Sequence, residues 1–179
     1  MGFIDFAKTI RLVISDLNEN RERESLIIAK ETVAIARLRI QNQGEDSEGQ
    51  QFDLYSQAVV PKFFYKGKSL NATAEEEVRT GEWLLSYETF REINNLRVDI
   101  KDFTFTGDMW RNVGVTSINN KGAVVDISIG GQTTRAAELL GYHSDKYGNL
   151  LAPNESEVQF LRDSHLERVF NSINKYLTT

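Results

Sequence analysis

Apolar residues recur at helical spacing along the first part of the chain. Each of these residues lies three or four positions from another: Phe3, Phe6, Ala7, Ile10, Val13, Ile14 and Leu17. This pattern predicts an amphipathic helix. The charged stretch 18–24 then either interrupts the helix or forms a solvated turn of it.

A second apolar seam follows the charged stretch. Its members are Leu26, Ala29, Val33, Ala36 and Ile40. Ile27, Ala34 and Leu38 lie on other sides of the same predicted helix, and a helix that is apolar on several sides is buried by more than one neighbour. Because a chain of 179 residues has little core to spare, we expect this seam to contact another subunit.

Residues 43–80 have weak periodicity. The stretch 44–51 is polar and turn-forming, Pro61 and Gly67 interrupt the next stretch, and one short capped helix is expected near 71–77. A segment of this length with so little regular pattern is unusual inside a compact domain. We therefore expect it to project from the body as an extended loop or hairpin arm.

The next part of the chain mixes helix and strand signals. Residues 83–95 predict a helix and residues 96–105 alternate as a strand does. The apolar stripe of that helix comprises Trp83, Tyr87, Phe90 and Ile93, and the strand pattern includes Phe103 and Phe105. Thr106 is a candidate N-cap for a short helical turn. A β-hairpin is predicted over 113–129, with its turn at 119–122.

Two further helices close the chain. Thr133 or Thr134 can cap the first, and Asn154 and Ser156 mark the start of the second. The stripe expected to be buried on the last helix comprises Val158, Leu161, Leu166, Val169, Phe170, Ile173 and Leu177. The sequence thus predicts one α+β domain over residues 1–179, with long N- and C-terminal helices packed on a small antiparallel β-sheet and an arm at about 43–80.

Composition narrows the classes of function. The absence of cysteine excludes disulfides and thiolate catalysis. A net charge of −5 argues against a dedicated duplex-DNA binder, whose affinity comes from neutralising phosphates. No stretch approaches the roughly 20 apolar residues that span a bilayer, and the N-terminus lacks the pattern of a secretion signal. We therefore expect neither a membrane anchor nor secretion.

The residues that could hold a metal ion do not form a recognisable motif. His143 and His165 are 22 residues apart, a spacing that fits no short zinc motif. The acidic loop 45–48 lacks the alternating oxygen ligands of an EF-hand. We expect no metal site and no cofactor.

Signatures of catalysis are also missing. The run 141–145 contains Ser, His and Asp, but residues adjacent on a helix point in different directions and cannot form a triad. The run 130–133 lacks the lysine of a phosphate-binding loop. Asp99 and Asp102 are compatible with acid–base chemistry, although carboxylates are too common to indicate it. We expect no catalytic residue.

An aromatic and basic run occupies residues 62–68. Phe63, Phe64 and Tyr65 could stack on nucleic-acid bases while the lysines beside them meet phosphates. Alternatively, the rings dock on a neighbouring subunit, since aromatic residues are enriched in interface cores. The negative charge of the whole chain favours docking.

Three segments in order resemble the tailed-bacteriophage virion-morphogenesis and tail-completion proteins, which act at the head–tail neck. The first is a long N-terminal helix that leads into Gly49–Ser56, which contains Tyr55. The second is Phe105–Val113, with its Thr-Gly-Asp-Met turn. The third is Ala136–His143, which leads through a Gly/Pro loop to a closing helix. The matches touch about 60% of the chain, roughly residues 26–56 and 100–175.

The resemblance implies a non-enzymatic structural component of the virion. Such proteins form rings, often homohexamers, at the head–tail junction or at the head-proximal end of the tail. The implied partners are copies of the chain itself and neighbouring neck and tail proteins, with no membrane. DNA would pass through the ring without being specifically bound, and the protein would be made in the host cytoplasm. The expected subunit interface comprises Leu26, Ala29, Val33, Ala36, Ile40, Tyr55, Phe63, Phe64 and Tyr65.

Three alternatives remain open from the sequence. The chain could be a minor capsid or other virion adaptor protein, which uses the same kind of assembly surface. It could be a small nucleic-acid-binding protein that uses the 62–68 run. A hydrolase built from scattered carboxylates would require one cleft in which acidic groups with shifted pKa values converge.

Overall fold

Two long antiparallel helices frame the molecule. The computed structural model describes residues 3–68, 71–80, 84–104, 106–122 and 124–177. Helix α1 covers Phe3–Gln43 and helix α6 covers Glu155–Leu177. The two helices contact each other along much of α6. The α+β fold class predicted from the sequence, with long terminal helices and a small antiparallel strand set, is confirmed.

Helix α1 runs without a break through the charged stretch 18–24. It contains no proline or glycine, and side chains four residues apart support it: Asn20 donates to the Asp16 backbone carbonyl at 2.9 Å, and Ser15 donates to Glu19 at 2.9 Å. It ends before Gly44, whose φ of 69° suits the residue that follows a helix. Of the two alternatives, the solvated turn is therefore the correct one.

Reciprocal hydrogen bonds fix the start of α6. The Glu157 backbone N–H donates to Asn154 Oδ1 at 2.8 Å, and the Asn154 backbone N–H donates to Glu157 Oε2 at 2.8 Å. This is a capping box, which satisfies two N–H groups that a helix start leaves free. The prediction that Asn154 starts the last helix is confirmed.

A buried ion pair joins the starting turn of α6 to the end of α1. Arg39 Nε donates to Glu157 Oε1 at 2.9 Å, and both side chains are buried. The same guanidinium donates to the backbone carbonyls of Glu45 and Ala152, at 3.0 and 2.9 Å. One arginine thus connects both long helices and the loops that flank them.

The main core lies between the second half of α1, a β-hairpin and two further helices. The hairpin consists of β3, Val113–Lys121, and β4, Val124–Gly131, and the helices are α4, Asp108–Arg111, and α5, Thr134–Tyr147. The buried residues of this core are Ala36, Ile40, Phe52, Met109, Trp110, Val113, Leu150 and Leu151. Both the hairpin and the Thr133 cap of α5, whose side chain accepts from the Ala136 N–H, are confirmed.

The region predicted as an arm packs within the molecule instead. Phe52 and Tyr55 are buried. The following residues form β1, a 3₁₀ turn and α2, which pack with β2 and α3 around a second small core of Tyr65, Leu85 and Phe90. The bounds are Val59–Pro61 for β1, Lys62–Tyr65 for the turn, Ala72–Thr80 for α2, Leu84–Ser86 for β2 and Tyr87–Ile93 for α3. We call these elements the small lobe.

Three local predictions need correction. The described residues of 96–105 form no strand, and Phe103 has a φ of 50°. Within 83–95 the helix starts only at Tyr87, after β2. Gly107 occupies the N-cap of α4, while Thr106 donates to the Asp108 carboxylate at 2.7 Å. Trp83 and Phe105 contribute to the predicted patterns but lie outside the described residues.

Gly131 allows α5 to approach the hairpin closely. A Cβ at this position would lie 2.2 Å from the Ala137 backbone nitrogen, a distance that real atoms do not reach. Within the run 130–133, Gly131 allows α5 to pack closely on the hairpin, and Thr133 caps α5.

We predict that Gly131→Ala destabilises the protein, because the helix must move away from the hairpin. Overpacking of this kind costs about 1–3 kcal/mol. Gly141→Ala in the same helix is the matched control: nothing lies within 4 Å of its added Cβ, so the change should stabilise the helix by about 1 kcal/mol. Urea unfolding of both variants measures the two effects, and effects of the same sign would contradict this account.

Candidate functional site

The predicted seam on α1 is mostly covered by the chain itself. Ala29, Ala36 and Ile40 are buried, and the last two belong to the main core. Leu26 and Val33 are half-buried, and Val33 packs against the same core. The seam therefore holds α1 on its own domain and has little surface left for a second subunit, contrary to the expected interface.

Tyr55 and Tyr65 are also committed to the fold. The Tyr55 hydroxyl donates to Asp102 Oδ1 at 2.8 Å, and the Arg91 guanidinium carbon lies 3.9 Å from the Tyr55 ring centroid. Burial raises the pKa of Tyr55 far above its ordinary value. Tyr65 stacks on Phe90 with ring centroids 4.4 Å apart. Like the seam, these two tyrosines are buried, and so they do not form an open interface.

Phe63 and Phe64 are the two predicted interface residues that lie on the surface as expected. Their side chains are 57% and 53% exposed, and their rings stack on each other at 4.4 Å. Lys66 beside them is exposed, and Lys62 Nζ donates to the Glu77 backbone carbonyl at 3.1 Å. We call Phe63 and Phe64 the aromatic pair.

Much of the stripe expected to be buried on α6 is exposed instead. Leu161 is buried, whereas Leu166, Phe170 and Leu177 are exposed, Phe170 by 60%. Residues four apart share a helix face, and Leu177 lies two turns beyond Phe170. The exposed residues therefore form a row along one side of the helix, and Val158 adds a further exposed apolar side chain near its start.

A matching row lies on the N-terminal half of α1. Phe6, Ile10 and Ile14 follow one another at steps of four residues, and all three are exposed. We call this row and the row Leu166, Phe170 and Leu177 the apolar rows. The sequence pattern located the residues of both rows, but it predicted burial for the α6 row and only an amphipathic helix for the α1 row. The apolar pattern on these helices is wider than one neighbouring helix can cover, and this breadth indicated a second contact.

The contacts between α1 and α6 explain why the apolar rows are not used within the chain. Arg168 donates to Glu24 at 2.9 Å and to Glu31 at 2.9 Å, and Ser172 donates to Asp16 at 2.8 Å. All of these polar side chains except Glu31 line a groove of about 880 Å³ between the helices, together with Leu17, Ile27, Ile28 and Val169. Because charged groups occupy much of the contact between α1 and α6, apolar side chains of both helices remain outside that contact.

The structure does not assemble a metal or carboxylate site from the residues considered in the sequence. Over the described ranges, no group of three or more His, Asp or Glu residues could hold a metal ion. Asp102 is bound by Arg91, Tyr55 and the Thr104 N–H, while Asp99 pairs with Arg97 at the surface. Within the same part of the chain, no helix is long and apolar enough to cross a membrane.

Comparisons with protein-family models, with curated proteins and with solved structures found no match to this chain.

We predict that Tyr55→Phe lowers stability although its ring is retained. The hydroxyl both donates to Asp102 Oδ1 and accepts from the Asp102 N–H, so its loss leaves buried polar groups short of a partner. Such a loss costs about 1–3 kcal/mol. Phe63→Leu is the surface control, and thermal unfolding should show no shift for it. Equal shifts for both variants would mean that Tyr55 is not a residue of the core.

Proposed function

We propose that this chain is a structural component of a tailed-bacteriophage virion, a subunit of a neck or tail-completion ring that joins tail to head. The observation that carries the proposal is the pair of apolar rows on the two long helices. Monomeric proteins rarely expose contiguous apolar patches larger than a few hundred Å². Rows of this kind need a partner, and the resemblance of the sequence to the neck proteins supplies one.

The arrangement of the exposed apolar groups supports a ring. In a ring each subunit contacts its two neighbours through two different patches. The row on α6 offers one patch, and the aromatic pair on the small lobe offers another, separate in sequence and in fold. We propose a homohexamer whose neighbours in the virion are other neck and tail proteins, with DNA passing through the ring unbound. A minor capsid or adaptor protein would use the same surfaces and differ only in its position in the particle.

The aromatic pair favours one further candidate, binding of single-stranded nucleic acid. Exposed stacked rings beside lysines can hold bases and phosphates. However, α2 packs against the same turn and presents Glu75, Glu76 and Glu77, which offset the charge of the lysines. This mixed charge favours docking on a protein.

We predict that the protein self-associates and that Phe170→Asp prevents it, because a carboxylate cannot be desolvated in an apolar contact. Size-exclusion chromatography with light scattering should give the wild type a mass several times 20.4 kDa and the variant a mass near 20.4 kDa. Asn171→Asp, at the exposed next residue, is the control with the same change in charge. A monomeric wild type over a wide range of concentration, or equal effects of both variants, would contradict the proposal.

We predict that the double variant Phe63→Ala/Phe64→Ala weakens self-association without changing nucleic-acid binding. Filter binding to a single-stranded oligonucleotide at two salt concentrations should show little affinity for wild type or variant. If the nucleic-acid function is correct, wild-type binding falls steeply with salt, with a slope of about −0.7 per phosphate contacted, and the variant loses it.

A further inference from the structure

A cavity of about 370 Å³ lies between α5 and the irregular segment that precedes α4. Tyr55, Lys101 and Phe103 line one side, and His143, Lys146 and Tyr147 from α5 line the other. We call these six residues the cationic pocket. Its volume falls within the range of about 300–1,000 Å³ typical of small-molecule sites. The apolar rows and the aromatic pair are separate from it.

Lys101 is a buried cation without a carboxylate partner. The residue is 8% exposed, and Nζ donates to the Tyr147 hydroxyl at 2.9 Å. Nζ also lies 5.1 Å from the Tyr147 ring centroid and 5.9 Å from that of Tyr55. Among the described residues, no carboxylate lies within 4.0 Å of this ammonium group.

The other two cations that are buried among the described residues each pair with a carboxylate. Arg39 pairs with Glu157 and Arg91 pairs with Asp102. Buried charges are normally paired because their desolvation is expensive. An ammonium group that is desolvated, unpaired and placed in a cavity indicates that the compensating negative charge comes from a bound molecule.

A second ammonium group reinforces the positive field, and burial together with this field keeps the neighbouring His143 neutral. Lys146 Nζ lies 5.0 Å from the Tyr147 ring centroid. Burial opposes ionisation of the Tyr147 hydroxyl, but hydrogen bonds from Lys101 and Lys146 outweigh it and lower its pKa. Burial, with Lys101 and Lys146 nearby, lowers the pKa of His143, whose buried Nδ1 has no hydrogen-bond partner.

Two of the carboxylates near the pocket, Asp102 and Asp108, are bound by other groups. The hydrogen bond to Tyr147 is the largest cause that raises the pKa of Lys146, and the exposed Asp53 is a smaller one. Asp102 accepts from Arg91 and Tyr55. Asp108, at the pocket edge, pairs with Arg111 and accepts from Thr106. None of these three carboxylates forms an ion pair with Lys101.

Aromatic rings form the rest of the wall. Phe103 has its ring centroid 4.4 Å from the ring centroid of His143 and 5.2 Å from that of Tyr147. Its φ of 50° is strained for a bulky residue, a cost on the order of 1–3 kcal/mol that surrounding contacts must offset. Such strain concentrates at ligand sites. Here it places the ring at the wall of the pocket.

We propose that the cationic pocket binds a small planar organic anion, an aromatic ring that carries a carboxylate or a phosphate. The ring packs against Phe103, Tyr55 and Tyr147, and the anionic group lies on the ammonium groups of Lys101 and Lys146. This site is independent of the ring-forming surfaces, and its occupant is a ligand rather than a subunit.

Isothermal titration with benzoate, phenyl phosphate and neutral benzamide tests the proposal on the full chain. The two anions should bind saturably, benzamide should not, and phenyl phosphate should bind more tightly than inorganic phosphate because the rings contribute. Lys101→Met should weaken anion binding at least about tenfold, the loss expected for one charged hydrogen bond. The exposed Lys146→Gln should weaken it less, and Lys30→Met, on the exposed side of α1, should leave it unchanged.

The unfolding midpoint of unliganded Lys101→Met separates a binding role from a structural one. Removal of an uncompensated buried charge should leave that midpoint unchanged or raise it. The proposal is overturned if no anion binds, if benzamide or inorganic phosphate binds as well as the aromatic anions, if Lys101→Met binds like the wild type, or if Lys101→Met lowers the midpoint. Because the readout is ligand affinity, a failed ring proposal would leave this result unaffected, and the converse also holds.

Discussion

The guanidinium group of Arg91 holds a stretch of chain that has no regular secondary structure of its own. It donates to the backbone carbonyls of Arg97 and Thr104 and to the Asp102 carboxylate, all within or beside that stretch. Buried carbonyls need donors, and here one side chain supplies what a neighbouring strand would otherwise provide. Removal of one partner from such a buried pair costs about 3–5 kcal/mol, because the other charge is left unpaired. The position of Lys101 in the wall of the cationic pocket depends on this arrangement.

Arg39 has the corresponding role at the junction of the two long helices. It joins the end of α1 to the capping box of α6 through Glu157 and also binds the loops on both sides. Beyond this junction the helices meet through ionic and hydroxyl contacts, chiefly those of Arg168. Arg39 therefore lies at the boundary between the packed main core and a pair of helices whose apolar residues are only partly buried.

Local signals in the sequence predicted much of this fold. The period of α1, the β-hairpin, the Thr133 cap and the start of α6 at Asn154 depend on residues close together in the chain, so spacing alone reveals them. The failures have a common cause in contacts that the local pattern does not show. Residues 96–104 alternate like a strand but find no strand to pair with, and Arg91, which is 6 residues from Arg97 and 13 from Thr104, donates to the backbone carbonyls of both. Periodicity likewise identifies apolar positions without showing which neighbour covers them. The α1 seam was therefore expected at a subunit interface but is mostly buried within the chain, and the α6 stripe was expected to be buried but is largely exposed.

The length of α1 explains why its two halves differ in burial. Its 41 residues extend about 60 Å at 1.5 Å per residue, whereas its buried contacts with the main core come from Ala36 and Ile40 near its C-terminal end. The N-terminal half is covered on one side by α6, whose facing residues are largely charged or hydroxylated. A pair of helices has no interior in which Phe6, Ile10 and Ile14 can be buried, so intramolecular rearrangement of side chains alone cannot cover them. These rows therefore stay exposed to water in the chain as described, and the proposed assembly rests on that exposure.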